Sequence, residues 1–279
     1  MKRTHVFLLI LLVSSLAFGQ KKEKIKGSRN VTTEQKDIGE FENIEVEDNI
    51  DLFLEKGDNT ALEIDADDNT HDAIVISLSN GTLRLSTSKD VTSTKKFSVK
   101  VTYTNNFKML IAKDETNSTA LTDMMLDNLT FKTSGGARVY ATVKAKIFTL
   151  MTNDKSKIEL NVTAENTIME LSKTSQVRAL VASPKLKLDM YQKAIATIEG
   201  DVNDLRMRLD GNTNLTGKNL TAKNADIIAE GNANLSIIVT GIAGIEASGK
   251  SEIDLHGDQQ KIEIRKFIDN ASIRKRPLK

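Results

Sequence analysis

Residues 153–196 decide the fold, and they read NDKSKIELNVTAENTIMELSKTSQVRALVASPKLKLDMYQKAIA. In this stretch a small residue recurs every 19 positions, at Ser156, Ser175 and Ala194. The same position can be followed in both directions with spacings of 18 to 20, which gives the series Ser118, Ala137, Ser156, Ser175, Ala194, Thr213, Ala233, Ser251 and Ala271. Such a repeat predicts a stack of similar structural units.

Each repeat also contains a period of two. The residue two positions after the small one is apolar in all nine repeats, whereas the residue directly after it is apolar only at Ile195. Six positions before the small residue the sequence is apolar again, except at Arg265. Alternation of this kind predicts short strands with one buried face. Because equivalent strands run the same way on every turn, we expect an all-β parallel β-helix, a solenoid of about 19 residues per rung.

Two other repeat folds fit less well. A β-propeller blade needs about twice this period, and a leucine-rich repeat of similar length carries fixed leucines and an internal ladder of Asn or Cys. Here the apolar residue varies among Leu, Ile, Val, Met, Phe and Ala. The pattern therefore favours the β-helix over residues 107–279.

The sequence before residue 107 is less regular. Residues 38–106 contain six alternating stretches that predict strands of an irregular β cap and first rungs: 41–46, 50–54, 62–66, 73–78, 83–85 and 97–103. Ser79-Asn80-Gly81-Thr82 predicts a tight type I′ hairpin between two of them. Residues 20–37 are rich in Lys, Glu, Thr and Gln, and we expect them to form a flexible leader.

The N-terminus is typical of a secretory signal peptide. Lys2 and Arg3 precede an apolar run that ends at Ala17-Phe18-Gly19, so we expect residues 1–19 to be removed and the mature chain to begin at Gln20. The chain has 39 Lys and Arg against 38 Asp and Glu, and loss of the two basic residues of the signal leaves 37 against 38. This balance gives no electrostatic reason to expect nucleic acid as a partner. The sequence contains no Cys, which excludes disulfides and thiolate metal sites.

The chain resembles a family of bacterial secreted proteins, common in Bacteroidetes, described as putative auto-transporter adhesin head domains. The resemblance covers roughly residues 38–260 and rests on residues 41–46 (FENIEV), 50–57 (IDLFLEKG), 80–85 (NGTLRL), 134–137 (SGGA) and 230–233 (EGNA). It implies a right-handed β-helix and an exported protein of the periplasm, outer-membrane surface or exterior. The middle rungs depart from the Gly-rich turns of the family at 153–155 and 173–174, so we expect uneven turn geometry there.

Outward charges could carry chemistry on a β-helix. Glu170, Asp189 and Arg208 lie five positions before the small residue on three successive rungs, which would place them ~5 Å apart. Polysaccharide lyases and hydrolases need clustered carboxylates of this kind. A solvated ladder of surface charges explains the same three residues equally well.

A second candidate site lies in the polar run 67–72 between two predicted strands. The carboxylates of Asp67, Asp68 and Asp72 could hold a cation, but the run lacks the spacing and the Gly of a calcium loop. We expect a solvated loop, and we expect no cofactor. After the signal only His71 and His256 remain, which makes a histidine-based catalytic or metal site improbable.

These observations predict a non-catalytic extracytoplasmic scaffold that binds an envelope or extracellular ligand, a glycan or a protein. A polysaccharide-processing enzyme and a purely structural envelope protein are the alternatives. Candidate sugar-stacking aromatics are scarce, the obvious ones being Tyr103, Tyr140 and Tyr191. At the other end, residues 261–279 predict a charged cap, because Glu263 and Arg265 interrupt the inward pattern and Lys, Arg and Pro are the residues that blunt sheet edges.

Overall fold

The computed structural model describes residues 22–277, so the signal peptide predicted over residues 1–19 lies outside the described residues. Nine strands precede the regular coil: β1 (Lys24–Lys26), β2 (Val31–Lys36), β3 (Asn43–Val46), β4 (Asp51–Lys56), β5 (Ala61–Asp67), β6 (Ile74–Ser79), β7 (Thr82–Thr87), β8 (Asp90–Thr92) and β9 (Phe97–Tyr103). A short 3-10 turn over His71–Ala73 separates β5 from β6.

The coil itself is built from the strands that follow, of which β13 to β17 are the longest. They are β10 (Met109–Ala112), β11 (Asn117–Ala120), β12 (Met124–Thr133), β13 (Arg138–Thr152), β14 (Lys157–Leu171), β15 (Gln176–Met190), β16 (Ile195–Leu209), β17 (Asn214–Ala229), β18 (Asn234–Val239), β19 (Ile242–Ala247), β20 (Glu252–His256), β21 (Lys261–Phe267) and β22 (Ser272–Arg276). Neighbouring coil strands pair in parallel, with Ile158 opposite Val177 and Val177 opposite Ala196. The predicted β-solenoid is confirmed, with about nine turns spaced about 19 residues apart.

Alternation along each strand builds the core. In β14 the side chains of Lys157, Glu159 and Asn161 are exposed, while those of Ile158, Leu160 and Val162 are buried. Each buried side chain stacks on its equivalents in the rungs above and below, so the interior is one continuous apolar column. The predicted small position is buried at Ser156, Ser175 and Ala194, at the tight corner of each rung.

One residue of every corner has a positive φ. These residues are Asp48, Asp114, Gly135, Asp154, Lys173, Gln192, Gly211, Gly231, Gly249 and Asp269. After eight of the ten, the next residue donates its backbone N–H to the carbonyl of the equivalent residue one rung earlier, as Thr174 does to Asp154 over 2.9 Å. The expectation of uneven turns in the middle rungs was therefore wrong, because this inter-rung hydrogen bond holds the same left-handed corner whether Gly, Asp, Lys or Gln occupies it.

The structure corrects the predicted register in the first regular rung. Ser118 pairs with Val139, and Leu110 pairs with Phe131, so this rung is 21 residues long. Thr116, fully buried, occupies the small corner position that the sequence pattern had given to Ser118. The error arose because Ser118 and Thr116 are both small and both point inward.

The last rung also differs from its prediction. Ile264, not Arg265, pairs with Ile245, and Lys266 then pairs with Glu246, so Arg265 is the extra residue of a β-bulge. Ile262 likewise continues the inward column of Ala243. The inward pattern is therefore not interrupted by Glu263 and Arg265, because the bulge shifts the register by one residue and restores the apolar columns.

At the N-terminal end, the chain doubles back on the coil. The first rung contains β7 and β9, the second β3 and β4, and the third β10 and β11. Strand β6 pairs antiparallel with β7, and β5 pairs antiparallel with β9. The predicted hairpin is confirmed, since Ser79 pairs with Thr82 and both Asn80 and Gly81 have positive φ.

The residues expected to form a flexible leader are partly strands. β1 pairs in parallel with β8, and β2 pairs antiparallel with β5. The composition was misleading because an edge strand needs only one row of backbone partners and can be polar on both faces.

Candidate ligand-binding surface

The regular coil presents two flat outer faces next to the tight corner. We call the outer side of the strand segments before the corner the first face, with residues 166–170, 185–189 and 204–208 at its centre. The second face is the outer side of the segments after the corner, with residues 157–161, 176–180 and 195–199 at its centre. Parallel pairing in register turns every outward position into a column along the stack, so side chains about 19 residues apart become neighbours.

An open groove runs along the first face. It has a volume of about 730 Å³ and includes Ile168, Lys185, Lys187, Arg206, Asp226 and Arg265 in its lining. We call it the first-face groove. Its size is within the range of small-molecule sites in proteins, and its floor spans several rungs.

Charges in this groove are arranged around Asp226. Its carboxylate accepts a hydrogen bond from the Arg265 guanidinium two rungs later, and Arg206 Nε lies 3.8 Å away on the other side. The hydrogen bond from Arg265 to Asp226 raises the pKa of Arg265. Arg265 can lie across the intervening rung because Gly244 stands there: a Cβ at that position would be 3.2 Å from Arg265 Nη2.

Two lysines extend this polar surface. Lys187 donates to Asp189 on its own strand at 2.8 Å, and this hydrogen bond raises the pKa of Lys187. Lys185 is exposed and has no carboxylate within ion-pair distance among the described residues. Lys185 and Arg206 therefore present cationic groups on adjacent rungs, and the exposed side chain of Ile168 lies on the rung before them.

The three candidate catalytic residues are brought together beside this groove. Glu170 pairs with Asp189, and Asp189 pairs with Arg208, as column neighbours on successive rungs. However, Asp189 and Arg208 form ion pairs with other residues. Asp189 is bound by Lys187, and Arg208 binds Glu230 at 2.6 Å, so two of the three candidates are held in separate surface ion pairs.

The three candidate cation ligands have structural contacts of their own. Asp67 is fully buried and accepts backbone N–H groups of Arg29 at 2.7 Å, Lys95 at 3.1 Å and Lys96 at 3.2 Å. Asp68 accepts hydrogen bonds from Ser28 and Asn30, and Asp72 is exposed in the 3-10 turn. Between residues 22 and 277 no group of three or more His, Cys, Asp or Glu is placed to hold a metal ion.

The polar run 67–72 is therefore not the solvated loop that we expected. His71 Nε2 lies 2.9 Å from the Thr32 hydroxyl, and its Nδ1 lies 3.4 Å from Glu34. Both partners belong to β2, so the run joins the leader to the first rungs. The buried carboxylate of Asp67 satisfies backbone donors that no strand partner reaches.

A second, smaller groove lies on the second face. It has a volume of about 480 Å³ and is lined by Tyr140, Glu159, Arg178, Leu180 and Glu199 among others. Tyr140 is exposed there, whereas Tyr103 is fully buried, and burial raises the pKa of Tyr103 to about 12. Tyr103 therefore belongs to the core, and Tyr140 is available to a ligand.

The sequence pattern identified the charged column but missed the groove. Asp226 and Arg265 are 39 residues apart, and the bulge that places Arg265 over Gly244 cannot be read from the repeat. A glycine in an outward column, where other rungs carry side chains, was the available signal.

Comparison with known families now identifies the chain. Residues 40–183 and 169–258 match the family described as putative auto-transporter adhesin, head GIN domain. The chain belongs to this family. Its description is that of an adhesin-like domain and points to an envelope or extracellular location, and the family resemblance predicted from the sequence is confirmed.

Solved structures share the fold at low identity. A putative lipid binding protein of Parabacteroides distasonis has 17% identity and a TM-score of 0.61, covering 91% of this chain and 99% of its own. A putative adhesin of the same organism has 17% identity and a TM-score of 0.62, covering 91% and 98%. A putative adhesin of Parabacteroides merdae has 19% identity and a TM-score of 0.58, covering 91% and 99%. These likenesses show the fold alone.

No curated protein matches the chain. Within residues 22–277, no helix is long and apolar enough to cross a membrane.

Proposed function

We propose that this adhesin-like protein is an exported, non-catalytic scaffold whose first-face groove binds an acidic polysaccharide at or outside the cell envelope. The observation that carries the proposal is the pair of cationic side chains on adjacent rungs, Lys185 and Arg206, at an open groove. Lys185 pairs with Asp204 and Arg206 pairs with Lys187, so the two cationic residues are diagonal neighbours with Cα atoms ~8 Å apart.

The chemistry of the groove suits a polymer with carboxylate or sulfate groups. An arginine offers a planar fork of donors that matches such oxyanions, and a lysine offers a mobile point charge. Asp226 leaves Arg206 partly uncompensated because Arg265 already binds that carboxylate. The exposed Ile168 adds apolar contact for the face of a sugar ring.

Binding to defined polymers tests the proposal. Purified protein should bind polygalacturonate or alginate in a salt-sensitive manner and should not bind neutral dextran. Replacement of Lys185 and Arg206 together by Glu should lower the affinity about tenfold or more, since two attractive charges become repulsive.

A matched control exists on the second face. Arg138 and Lys157 are also exposed cations on adjacent rungs, and their replacement by Glu makes the same change in net charge. This control should bind as the parent does. Equal loss in both double variants, or no binding to either acidic polymer, would overturn the proposed site.

The non-catalytic part of the proposal rests on the ion pairs of Asp189 and Arg208, which engage two of the three candidate catalytic side chains. Incubation with the same polymers should release neither new reducing ends nor unsaturated uronates. Turnover that Glu170→Gln or Asp189→Asn abolishes would make the protein an enzyme instead.

Export is proposed from the order of basic, apolar and small residues at the N-terminus. Mass spectrometry of the protein from its native host should find a mature chain that begins at Gln20. Recovery of the chain with Met1 intact from the cytoplasm would contradict export.

A further inference from the structure

The smaller groove on the second face, which we call the second-face groove, follows one outward column of the coil. Tyr140 pairs with Glu159, and Glu159 pairs with Arg178. Arg178 pairs in turn with Thr197, and all four residues line the groove. Neighbouring strands are ~4.8 Å apart. The column therefore presents an aromatic ring, a carboxylate, a guanidinium and a hydroxyl on four successive rungs.

The charged side chains of this groove have no partner within residues 22–277. Elsewhere on the coil, charges of neighbouring rungs bind one another, as Lys173 binds Asp154 at 2.7 Å. Glu159, Arg178 and Glu199 line the groove, yet none of them forms an ion pair or a side-chain hydrogen bond with another described residue. All three are exposed. Their hydrogen-bonding capacity is therefore available to a ligand.

The order of these charges disfavours an ionic ligand. Glu159 precedes Arg178 in the column, and Glu199 lies diagonally beyond it, two residues after Thr197. The two carboxylates outnumber the single guanidinium, so an acidic polymer would be repelled on both sides of Arg178. A cationic polymer would meet the guanidinium in the middle. A neutral hydroxyl group suits all three side chains, because it can donate to a carboxylate and accept from a guanidinium.

The groove also offers apolar contact. Tyr140 is 38% exposed, and Leu180, two residues after Arg178, is 51% exposed. Asn161 pairs with Leu180 and adds an amide to the lining. A pyranose ring has an apolar C–H face and a rim of hydroxyl groups, so it can stack on the tyrosine ring while its rim binds the polar side chains. The combination indicates a neutral sugar.

The length and direction of the groove favour one kind of chain. Its lining comes from five successive strands, β11 and β13 to β16, so it extends for about 19 Å along the stack. It ends where the register shifts between Thr197 and Glu199 on pairing with β17. An extended β-1,4-linked chain repeats at an interval similar to the strand spacing and can place one ring on each rung. An α-1,6-linked chain has an extra rotatable bond at every linkage, so straightening it along the groove costs more conformational entropy.

We propose that the second-face groove binds a neutral β-1,4-linked oligosaccharide of about four residues, which lies along the stack with one sugar ring over Tyr140. Glu159 and Glu199 accept hydrogen bonds from its hydroxyl groups, and Arg178 donates to them. The site goes beyond the proposed function, because the face and the charge of the ligand both differ from those of the first-face groove.

Isothermal titration calorimetry with defined pentasaccharides tests the proposal. At least one of cellopentaose, mannopentaose and xylopentaose should bind the parent protein, and isomaltopentaose, which is α-1,6-linked, should not. Tyr140→Ala should lower the affinity about tenfold or more because the stacking surface is lost. Tyr140→Phe should bind as the parent does, since the ring remains. Tyr191→Ala is the matched control, because Tyr191 lines a different groove.

The guanidinium gives a second readout. Arg178→Ala should lower the affinity about fivefold or more, because it removes charged donors to the sugar hydroxyls. Arg138→Ala removes an exposed arginine of the same face that lies outside the groove lining, and it should have no effect. Circular dichroism should show the parent fold in every variant, because none of the substituted side chains is buried.

The variant with Lys185 and Arg206 replaced by Glu separates the two sites. It should lose the acidic polymers and keep the neutral pentasaccharide, and Tyr140→Ala should do the reverse. If only the binding of acidic polymers fails, the proposed function is wrong and this inference stands.

Three results would overturn the inference: no binding of any of the three β-1,4-linked pentasaccharides, equal affinities of Tyr140→Ala and Tyr191→Ala, or loss of neutral-sugar binding in the Lys185 and Arg206 variant. The last result would place the neutral sugar in the first-face groove.

Discussion

The two ends of the coil differ in how they finish the sheet. At the N-terminal end, Leu83 and Leu85 of β7 are fully buried between β3 and the antiparallel strand β6. At the C-terminal end, the equivalent inward residue Ile264 is more than half exposed. The N-terminal end is closed by irregular strands of the same chain, whereas no strand between residues 22 and 277 covers the C-terminal rung.

This difference shows what a repeat can and cannot encode. A regular rung makes its own interior and offers an edge to the next rung, so repetition prolongs the coil and does not end it. Closure needs strands that reverse direction, and it needs hydrogen-bond acceptors for the backbone N–H groups at the point where strand pairing stops. Asp67 supplies such an acceptor at the N-terminal end, with a buried carboxylate that accepts three backbone N–H groups.

The largest expected effect is a difference in stability loss between substitutions in the middle of the coil and at its C-terminal rung. Ile158→Lys should lower the free energy of unfolding by about 3 kcal/mol or more, because it buries an unpaired ammonium in the apolar column. Ile264→Lys makes the same chemical change at the C-terminal rung and should cost less than about 1 kcal/mol. Urea denaturation followed by circular dichroism measures both.

The adjacent residue is the control for facing. Lys157 is exposed, so Lys157→Ile should change stability little. Similar losses for Ile158→Lys and Lys157→Ile would mean that the assignment of inner and outer faces is wrong.

The next effect concerns the closed end. Asp67→Ala should lower the melting temperature by several degrees, because three backbone N–H groups lose their acceptor in a buried site. Limited proteolysis should then cut within residues 22–36 first. Asp72→Ala is the matched control, since that carboxylate is exposed, and an equal effect of the two substitutions would contradict the role of Asp67.

Low pH should destabilise the N-terminal end of the coil, as Asp67→Ala does. Burial raises the pKa of Asp67, but hydrogen bonds from the backbone N–H groups of Arg29, Lys95 and Lys96 together lower it by a larger amount. The net pKa therefore lies below the ordinary 3.8. A lowered carboxyl pKa stabilises the fold above the ordinary value, and that contribution is lost as the pH falls through the lowered pKa.

In the parent, residues 22–36 should therefore become more sensitive to an acid-stable protease as the pH falls from about 5 to about 2. In Asp67→Asn this segment should already be sensitive at pH 5, and the rise on acidification should be smaller. The same rise in both proteins would assign the acid effect to other groups.

The smallest expected effect on stability concerns the corner residues with positive φ. Lys173 has φ of 57°, a conformation that costs a side-chain-bearing residue ~1 kcal/mol relative to Gly. Lys173→Gly should be neutral or stabilising by up to about that amount, less the ion pair of Lys173 with Asp154. Gly211→Ala should be destabilising, because the added Cβ would lie 2.8 Å from the Gln192 carbonyl oxygen. Thermal melts that rank these two substitutions in the reverse order would contradict the corner geometry.

Much of the coil could be predicted from the sequence because inward and outward positions differ strongly in polarity. The pattern assigned Ile158 and Lys157 to opposite sides of a strand and brought Glu170, Asp189 and Arg208 into one column. It failed where two registers had similar side chains, as at Thr116 and Ser118, and where a bulge inserted Arg265. A period carries no information about a single inserted residue.

The closed end and the groove were harder to predict for a different reason. β2 and the run 67–72 are polar, and their order comes from partners 30 or more residues away, such as Glu34 with Ile64 and Arg29 with Asp67. The groove depends on Arg265 crossing Gly244 to reach Asp226. Contacts of this kind are set by tertiary structure and leave little local periodicity to read.

Hydrogen exchange at both ends of the coil tests the account most directly. The amides of β7 should be protected about 100-fold or more relative to those of β21. Equal protection of the two strands would contradict the claim that the N-terminal end is closed and the C-terminal rung is uncovered.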